Sequence, residues 1–184
     1  MKHLILDVNS VLDLWFARAH VDVLETLFDR AEQGEARLWV AASSLSAIEY
    51  LANRCLADKG MEATRRKETL CRLMDHLFEH VSILSHVGAD YRSEYGHSRD
   101  FEDAQIALAA MAIHGEKVIV TSDCSFDTLG LLSAKTPEEA LCWLNESDDG
   151  CTDFIDLKTQ QDVLRPKIEA QVANVLKHGR YIMG

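Results

Sequence analysis

The stretch Asp100-Phe-Glu-Asp103-Ala-Gln-Ile-Ala-Leu-Ala-Ala110, followed by Val118-Ile-Val-Thr-Ser-Asp123, decides the fold. Apolar side chains recur at three- and four-residue steps in its first part, which predicts a helix with one buried face. The residues predicted to face inward are Phe101, Ala104, Ala107, Leu108 and Met111. The β-branched run that follows predicts a short strand of the kind that parallel sheets bury. We therefore expect Asp103 in the first helical turn and Asp123 just beyond the end of the strand.

The amino terminus has the same arrangement of a strand followed by an acid. Lys2-His-Leu-Ile-Leu-Asp7 predicts a strand that ends at Asp7 and leads into a helix. Functional sites in open α/β sheets form at the carboxyl ends of the strands. One aspartate at such a place is commonly a helix cap. Several converging carboxylates repel one another unless a cation neutralises them, so the pattern favours an acidic cation site at this edge.

Four motifs, in this order, resemble a PIN domain, the nuclease fold of VapC-like toxins and related ribonucleases. They are Leu6-Asp7-Val8-Asn9, Ser43-Ser-Leu-Ser-Ala-Ile-Glu49, Asp100-Phe-Glu-Asp103-Ala-Gln-Ile-Ala-Leu-Ala-Ala and Val120-Thr121-Ser122-Asp123. The resemblance runs from the amino terminus to about Leu144. It has two departures: Val8, where the family commonly has Thr, and the short loop after Asp123, where Phe126 comes one residue earlier than expected. It implies an α/β fold with a central parallel sheet in three α/β/α layers.

The resemblance also implies which residues form the site. The acids that would bind Mg²⁺ or Mn²⁺ and serve catalysis are Asp7, Glu49, Asp103 and Asp123. The polar residues that would hold these carboxylates by hydrogen bonds are Asn9, Thr121 and Ser122. Glu49 is the best candidate for orienting or deprotonating the attacking water. Asp100 and Glu102 flank the site, although the favourable effect of negative charge at a helix N-terminus is enough to explain both.

Composition fits a globular protein with reduced cysteines. The chain has 184 residues, of which 47% are hydrophobic and 27% charged, which allows one sizeable domain with or without an appendage. No apolar run is long enough to span a membrane, and the start is not a secretory signal. The five cysteines are odd in number and lack Cys-x-x-Cys spacing. They predict free thiols in a cytoplasmic protein.

The formal net charge of −11 argues against a generally basic nucleic-acid binder. An acidic metal pocket supplies several of these charges, and a local basic strip can still hold phosphates. Such a strip consists of Arg54, Lys59, Arg65, Arg66, Lys67 and Arg72. A solvated helix face explains it equally well. The segment from Tyr91 to Arg99 is similarly either an RNA contact or an ordinary connection.

Other patterns predict the remaining elements. The predicted helices are Ser10–Phe16, His20–Gln33, one capped by Ser43 or Ser44, Met61–His80 with Phe78 inward, and one that starts at Thr136-Pro137. The predicted strands are Ala36–Val40 and Val81–Leu84. His76 and His80, four residues apart on a helix, could bind zinc only with a third ligand that the sequence does not show nearby.

The polar segment Asn145-Glu-Ser-Asp-Asp-Gly150 predicts a linker. It places a PIN-like nuclease domain at residues 1–145 and a linker with a C-terminal helical extension at residues 146–184. Residues 153–184 resemble the N-terminal start of DegT-type pyridoxal-phosphate sugar aminotransferases, but lack the Schiff-base lysine and the phosphate-binding loop. We assign this tail no aminotransferase activity. It is a fusion remnant, a truncation product or an amphipathic helix that docks on its own domain or a partner.

The resemblance to PIN domains implies a metal-dependent ribonuclease that hydrolyses RNA phosphodiester bonds and is the toxin of a toxin–antitoxin pair. We expect an RNA substrate, an antitoxin protein as partner, a homodimer, no membrane association and a cytoplasmic location. Two alternatives remain open. One is a catalytically inactive PIN-like module that binds RNA or protein, and the other is the N-terminal part of a fusion to a sugar aminotransferase.

Overall fold

The computed structural model describes residues 1–85 and 98–146. The chain divides into two units, Met1–Asn145 and Glu146–Gly184, and every element given below belongs to the first. Of the segment from Tyr91 to Arg99, predicted as an RNA contact or a connection, residues 91–97 lie outside the described residues. So does the aminotransferase-like tail of residues 153–184.

A parallel sheet of five strands forms the centre of the first unit. Its strands are β1 (Lys2–Leu6), β2 (Ala36–Ala41), β3 (Val81–Leu84), β4 (Lys117–Val120) and β5 (Ala134–Lys135). Their order is β3-β2-β1-β4-β5, and every neighbouring pair is parallel, which confirms the predicted sheet. The sequence did not predict β5, because two residues are too short to show a pattern.

Helices connect the strands. They are α1 (Val8–Trp15), α2 (Val21–Glu32), α3 (Leu45–Asp58), α4 (Ala63–His80), α5 (Phe101–Ala110) and α6 (Pro137–Asn145), with a 3-10 helix at Ala42–Ser44 before α3. Successive side chains of β1 point to opposite faces of the sheet, and both faces are buried. Leu4 and Leu6 of β1 pack with α1 to α4, whereas Ile5 packs with Ile106 and its neighbours on α5. The sheet is therefore the middle of three layers, as predicted.

The chain order of the strands reverses at β1. The chain runs from β1 to β2 and β3 on one side, and then returns to place β4 on the other side of β1. Leu6 of β1 is level with Val120 of β4, and the N–H of Asp7 donates to the Val120 carbonyl over 3.0 Å. Asp7 and the residues after Val120 thus meet at the switch point of the sheet, which is where α/β folds bind ligands.

Some predicted inward positions are wrong. Phe101, Met111 and Phe78 are 49%, 46% and 48% exposed. Phe101 is the first residue of α5, and Met111 follows its last residue, so both lie beyond the part of the helix that packs on the sheet. Phe78 is next to Leu77, which is fully buried and turns the neighbouring side chain off the contact face of α4.

Several helix ends also differ from the prediction; for example, α1 begins at Val8 and not at Ser10, and α4 begins at Ala63 and not at Met61. α5 ends at Ala110 instead of continuing to His114-Gly115. Ser44 takes the N-cap position of α3, but its hydroxyl makes no capping hydrogen bond. At α6 the predicted cap is confirmed, since the Thr136 hydroxyl accepts from the Glu139 N–H at 3.3 Å. Within residues 1–85 and 98–146, none of the helices combines the length and apolar character needed to cross a membrane.

Candidate active site

Asp7 is the most firmly held of the predicted acids. It caps α1 directly after β1 and is only 5% exposed. Its Oδ1 accepts from the Val8 N–H at 2.6 Å, and its Oδ2 accepts from the Thr121 hydroxyl at 2.9 Å. The Asn9 amide lies 3.5 Å from the same Oδ2, at the limit of a hydrogen bond. Burial raises the pKa of Asp7, while the hydrogen bonds from Thr121 and Val8 oppose that rise.

The Thr121 hydroxyl links the ends of β1 and β4. It donates to Asp7 and also accepts from the Asp123 N–H at 3.0 Å. One buried side chain therefore fixes the position of one predicted ligand and the backbone of another. The neighbouring Ser122 does something else, because its hydroxyl donates to Oδ2 of Asp13 at 3.3 Å. Asp13 is a buried carboxylate on α1 that the sequence did not single out.

Asp103 lies in the first turn of α5, as predicted. Burial raises the pKa of Asp103 to about 6, and the N–H of Asp127, which donates to its Oδ2 over 2.9 Å, opposes the rise. The negative charges of Asp100, Asp7 and Asp123 raise the pKa further. This coupling shows that α5 brings Asp103 within electrostatic reach of both strand-end acids. A partly buried carboxylate surrounded by like charges is stabilised in its ionised form when a cation binds beside it.

Asp100 acts as the N-cap of α5. Its Oδ1 accepts from the N–H groups of Glu102 and Asp103, at 2.8 Å and 3.3 Å. This capping accounts for Asp100 without any ligand. Asp100 still contributes charge, since it raises the pKa of Asp103 and of Glu102.

The loop after β4 is closed by two aspartates. Oδ1 of Asp123 accepts from the backbone N–H and the hydroxyl of Ser125, at 2.7 Å and 2.6 Å, and these bonds lower the pKa of Asp123. Asp127 accepts from the N–H groups of Arg99 and Leu129, at 2.9 Å and 3.0 Å. Asp127 thereby fixes this loop against the start of α5. Sequence reasoning missed it, because an isolated loop aspartate carries no periodic signal.

Glu49 and Glu102 differ in how they relate to the acidic residues Asp7, Asp103 and Asp123. Glu49 is exposed on α3 and makes no hydrogen bond or ion pair with any described residue. The structure therefore does not group it with the other predicted acids. Burial raises the pKa of Glu102, and the charges of Asp7, Asp100 and Asp103 raise it further. Glu102, which was predicted to flank the site, thus lies within electrostatic reach of these acids.

The donor set suits a hard divalent cation, although the side chains are not gathered around one point. Within residues 1–85 and 98–146, no three His, Cys or carboxylate side chains are close enough together to hold a metal ion as they stand. Asp7, Asp103 and Asp123 offer only oxygen atoms, which Mg²⁺ and Mn²⁺ prefer. Their mutual repulsion would be relieved by such an ion, so the residues present fit it.

The basic strip predicted from the sequence follows the end of α3 and the start of α4. Lys59 lies 5.1 Å from the centre of the Phe16 ring, and Arg66 donates to the Met61 carbonyl at 3.1 Å. The other members, Arg54, Arg65, Lys67 and Arg72, are exposed. The arrangement is that of a solvated helix face with free cationic groups, and both interpretations of the strip remain open.

Comparison with known proteins supports the fold. No protein-family model matches the chain, and no curated protein does either. The fold is similar to a chain in the crystal structure of VapBC2 from Rickettsia felis bound to a DNA fragment from their promoter. The match has a TM-score of 0.52 and 16% sequence identity, and it covers 74% of this chain and 98% of that chain. Nothing in these comparisons supports the aminotransferase resemblance of residues 153–184. The feature that the two chains share is the α/β fold.

Proposed function

We propose that the protein is a metal-dependent ribonuclease that hydrolyses RNA phosphodiester bonds. One observation supports the proposal: Asp7 and Asp123 follow neighbouring strands at the switch point of the sheet, and burial together with the charges of these acids raises the pKa of Asp103 at the start of α5. Capping explains each acid alone. It does not explain why three like charges, none of which has an ion-pair partner among the described residues, share one edge. The fold similarity to a VapBC2 chain and the PIN-like motifs agree with this proposal.

Asp7, Asp103 and Asp123 would hold Mg²⁺ or Mn²⁺. When bound, such an ion lowers the pKa of a coordinated water and neutralises charge on the phosphate. Thr121 keeps Asp7 in place and also holds the backbone of Asp123. The Asp127 N–H does the same for Asp103. The exposed Asp123 side chain can turn toward an ion, because among the described residues Ser125 of the same loop is its hydrogen-bond partner.

We further propose that the protein is the toxin of a toxin–antitoxin pair and works in the cytoplasm as a homodimer. The resemblance to VapC-like toxins and the similarity to a chain of a VapBC2 structure support an antitoxin partner. Cytoplasmic location agrees with the thiols, since the described Cys55, Cys71, Cys124 and Cys142 are all free. Light scattering of the purified chain tests the dimer.

A non-catalytic binding module is the second candidate. It is favoured by the separation of the acidic side chains, of which no three form a ready metal site in the described ranges. Both candidates keep the same fold, so only turnover distinguishes them. The fusion to a sugar aminotransferase depends entirely on residues 153–184, which lie outside the described residues.

The test is cleavage of a mixed RNA pool by purified protein with Mg²⁺ or Mn²⁺. Asp7→Asn and Asp103→Asn should each abolish cleavage, because each removes a charge that the ion needs. Asp75→Asn is the matched control, since Asp75 is an exposed aspartate on α4, away from the sheet edge. No cleavage by folded wild-type protein with either ion would favour the binding module. Equal cleavage by all variants would reveal a contaminant.

A further inference from the structure

Three polar side chains of α1 and its cap contact the end of β4. Asp7 caps the helix, and Ser10 and Asp13 follow at three-residue steps, so each lies beside the previous one on the helix surface. All three are buried, with 5%, 1% and 8% of their surface exposed. The other buried residues of α1 are apolar. We call Asp7, Ser10 and Asp13 the polar seam of α1.

Ser10 makes the shortest of the three side-chain contacts between the polar seam and the end of β4. Its hydroxyl donates to the carbonyl of Val120, the last residue of the strand, at 2.8 Å. A serine within a helix is usually exposed or bonded to its own helix backbone. Ser10 instead bonds to a strand end that lies 110 residues later in the chain. Its hydroxyl therefore joins two elements that are far apart in the sequence.

The other two members of the polar seam hold the two residues that follow β4. Asp7 accepts from the Thr121 hydroxyl at 2.9 Å. Asp13 accepts from the Ser122 hydroxyl at 3.3 Å, which is the longest of the three contacts. The polar seam thus contacts three consecutive residues, and the next residue in the chain is Asp123.

The Val120 carbonyl has a second donor beside Ser10. The backbone N–H of Asp7 donates to it over 3.0 Å. A carbonyl oxygen has two lone pairs, so these two donors fill its hydrogen-bonding capacity. The last peptide of β4 is therefore tied both to the cap of α1 and to the first turn of that helix. Removal of the Ser10 hydroxyl leaves the backbone donor in place, so we expect the fold to survive the change.

Packing alone does not require a hydroxyl at this position. The next residue, Val11, is fully buried and fills the core with apolar atoms. A buried hydrogen bond adds only about 1 kcal/mol of net stability, but it requires a defined geometry. We propose that Ser10 is a positioning residue of the acidic site. It sets the end of β4 against α1, and this placement brings the Thr121 hydroxyl to Asp7.

The same placement determines where Asp123 begins. Its N–H donates to the Thr121 hydroxyl at 3.0 Å, so the backbone of Asp123 follows the position of Thr121. Ser10 therefore acts on the two strand-end acids together, through the Val120 carbonyl. That these acids bind an ion depends on the proposed metal-dependent function, whereas their relative position can be measured without metal.

The first test is amide hydrogen exchange of the full chain in EDTA, followed by NMR. Ser10→Ala should speed the exchange of the Asp7 and Asp123 amides about fivefold relative to the amides between β1 and β2, as expected for one lost hydrogen bond. Val11→Ala is the matched control, because it weakens the core of the same helix without touching Val120. It should not single out these two amides. Unchanged relative exchange at Asp7 and Asp123 in Ser10→Ala would overturn the inference.

The second test is calorimetric titration of the same variants with Mn²⁺. Ser10→Ala should lower the affinity about tenfold, as loss of a residue that orients metal ligands commonly does. Ser122→Ala changes an exposed residue, so its folding is not at risk, and it should lower the affinity in the same direction. Val11→Ala should keep the affinity even if its melting temperature falls as far as that of Ser10→Ala. In RNA cleavage, Ser10→Ala should lower kcat and leave KM unchanged.

The outcomes separate the inference from the proposed function. An equal loss of Mn²⁺ affinity in Ser10→Ala and Val11→Ala would give Ser10 a structural role only and overturn the inference. Wild-type affinity in both Ser10→Ala and Ser122→Ala would overturn it as well. If wild-type protein neither binds Mn²⁺ nor cleaves RNA, the proposed function fails, and the exchange experiment still decides whether Ser10 positions Asp7 and Asp123.

Discussion

Replacing Asp103 by Asn should stabilise the metal-free protein at neutral pH. The pKa of Asp103 is raised from 3.8 to about 6, so its ionisation opposes folding. Because protonation and folding are linked, a carboxyl group whose pKa is higher in the folded protein stabilises the fold below pH 3.8. This stabilisation is lost as the pH rises through about 6. Asn is neutral and nearly isosteric, and its amide oxygen can accept from the Asp127 N–H as the carboxylate does.

The size of the effect follows from the same difference in pKa. At ~1.4 kcal/mol for each tenfold change in proton affinity, the cost of ionising Asp103 is at most about 3 kcal/mol. The carboxylate is only partly buried, and solvent screening reduces this to about 1 kcal/mol. For a chain of this length, that gain corresponds to a rise in melting temperature of about 2–4 °C.

Thermal unfolding followed by circular dichroism, with EDTA at pH 7.5 and again near pH 4, measures the effect. The gain of Asp103→Asn should appear at pH 7.5 and disappear near pH 4, where wild-type Asp103 is already protonated. With Mn²⁺ present, the wild type should become more stable than Asp103→Asn. A ligand at 100 times its Kd stabilises the folded protein by about 2.7 kcal/mol, and only the wild type should bind the ion. Asp75→Asn should change nothing. Lower stability of Asp103→Asn in EDTA, or equal stabilisation of it by Mn²⁺, would refute the reasoning.

Two further predictions concern the same edge of the sheet. Thr121→Val removes the hydroxyl that links Asp7 to the Asp123 N–H, so urea denaturation should show a loss of about 1–3 kcal/mol and Mn²⁺ affinity should fall, whereas Thr121→Ser should keep both. A Thr121→Val variant with wild-type stability and affinity would show that this link is dispensable. The affinity for Mn²⁺ should rise between about pH 5 and pH 7 as Asp103 loses its proton, and a flat titration profile over that range would contradict the assignment of Asp103 as a ligand.

The acids at the strand ends could be predicted because each follows directly from a local pattern. A β-branched or apolar run marks the strand, and Asp7 or Asp123 comes just after it. The rule that parallel strands share one carboxyl edge then brings them together. The first turn of α5 could be located in the same way, because a helical period fixes the place of Asp103.

The residues that were missed depend on packing between elements. Whether Glu102 or Glu49 lies near the other acids depends on how α5 and α3 pack in the fold, and no local period in the sequence reports that packing. Asp127 is positioned by turns in an irregular loop. The hydrogen bond from its backbone N–H to Asp103 could therefore not be predicted from a sequence pattern. Phe101 was misplaced for a simpler reason, since apolar periodicity does not show where a helix begins.

The central claim is that this acidic edge cleaves RNA with the help of a divalent ion. A time course on one labelled single-stranded RNA tests it most directly, with EDTA added midway and excess Mn²⁺ restored later. We predict that wild-type protein stops cleaving in EDTA and resumes with Mn²⁺, while Asp7→Asn is inactive throughout. Cleavage that continues in EDTA, or that Asp7→Asn carries out equally well, would contradict the claim.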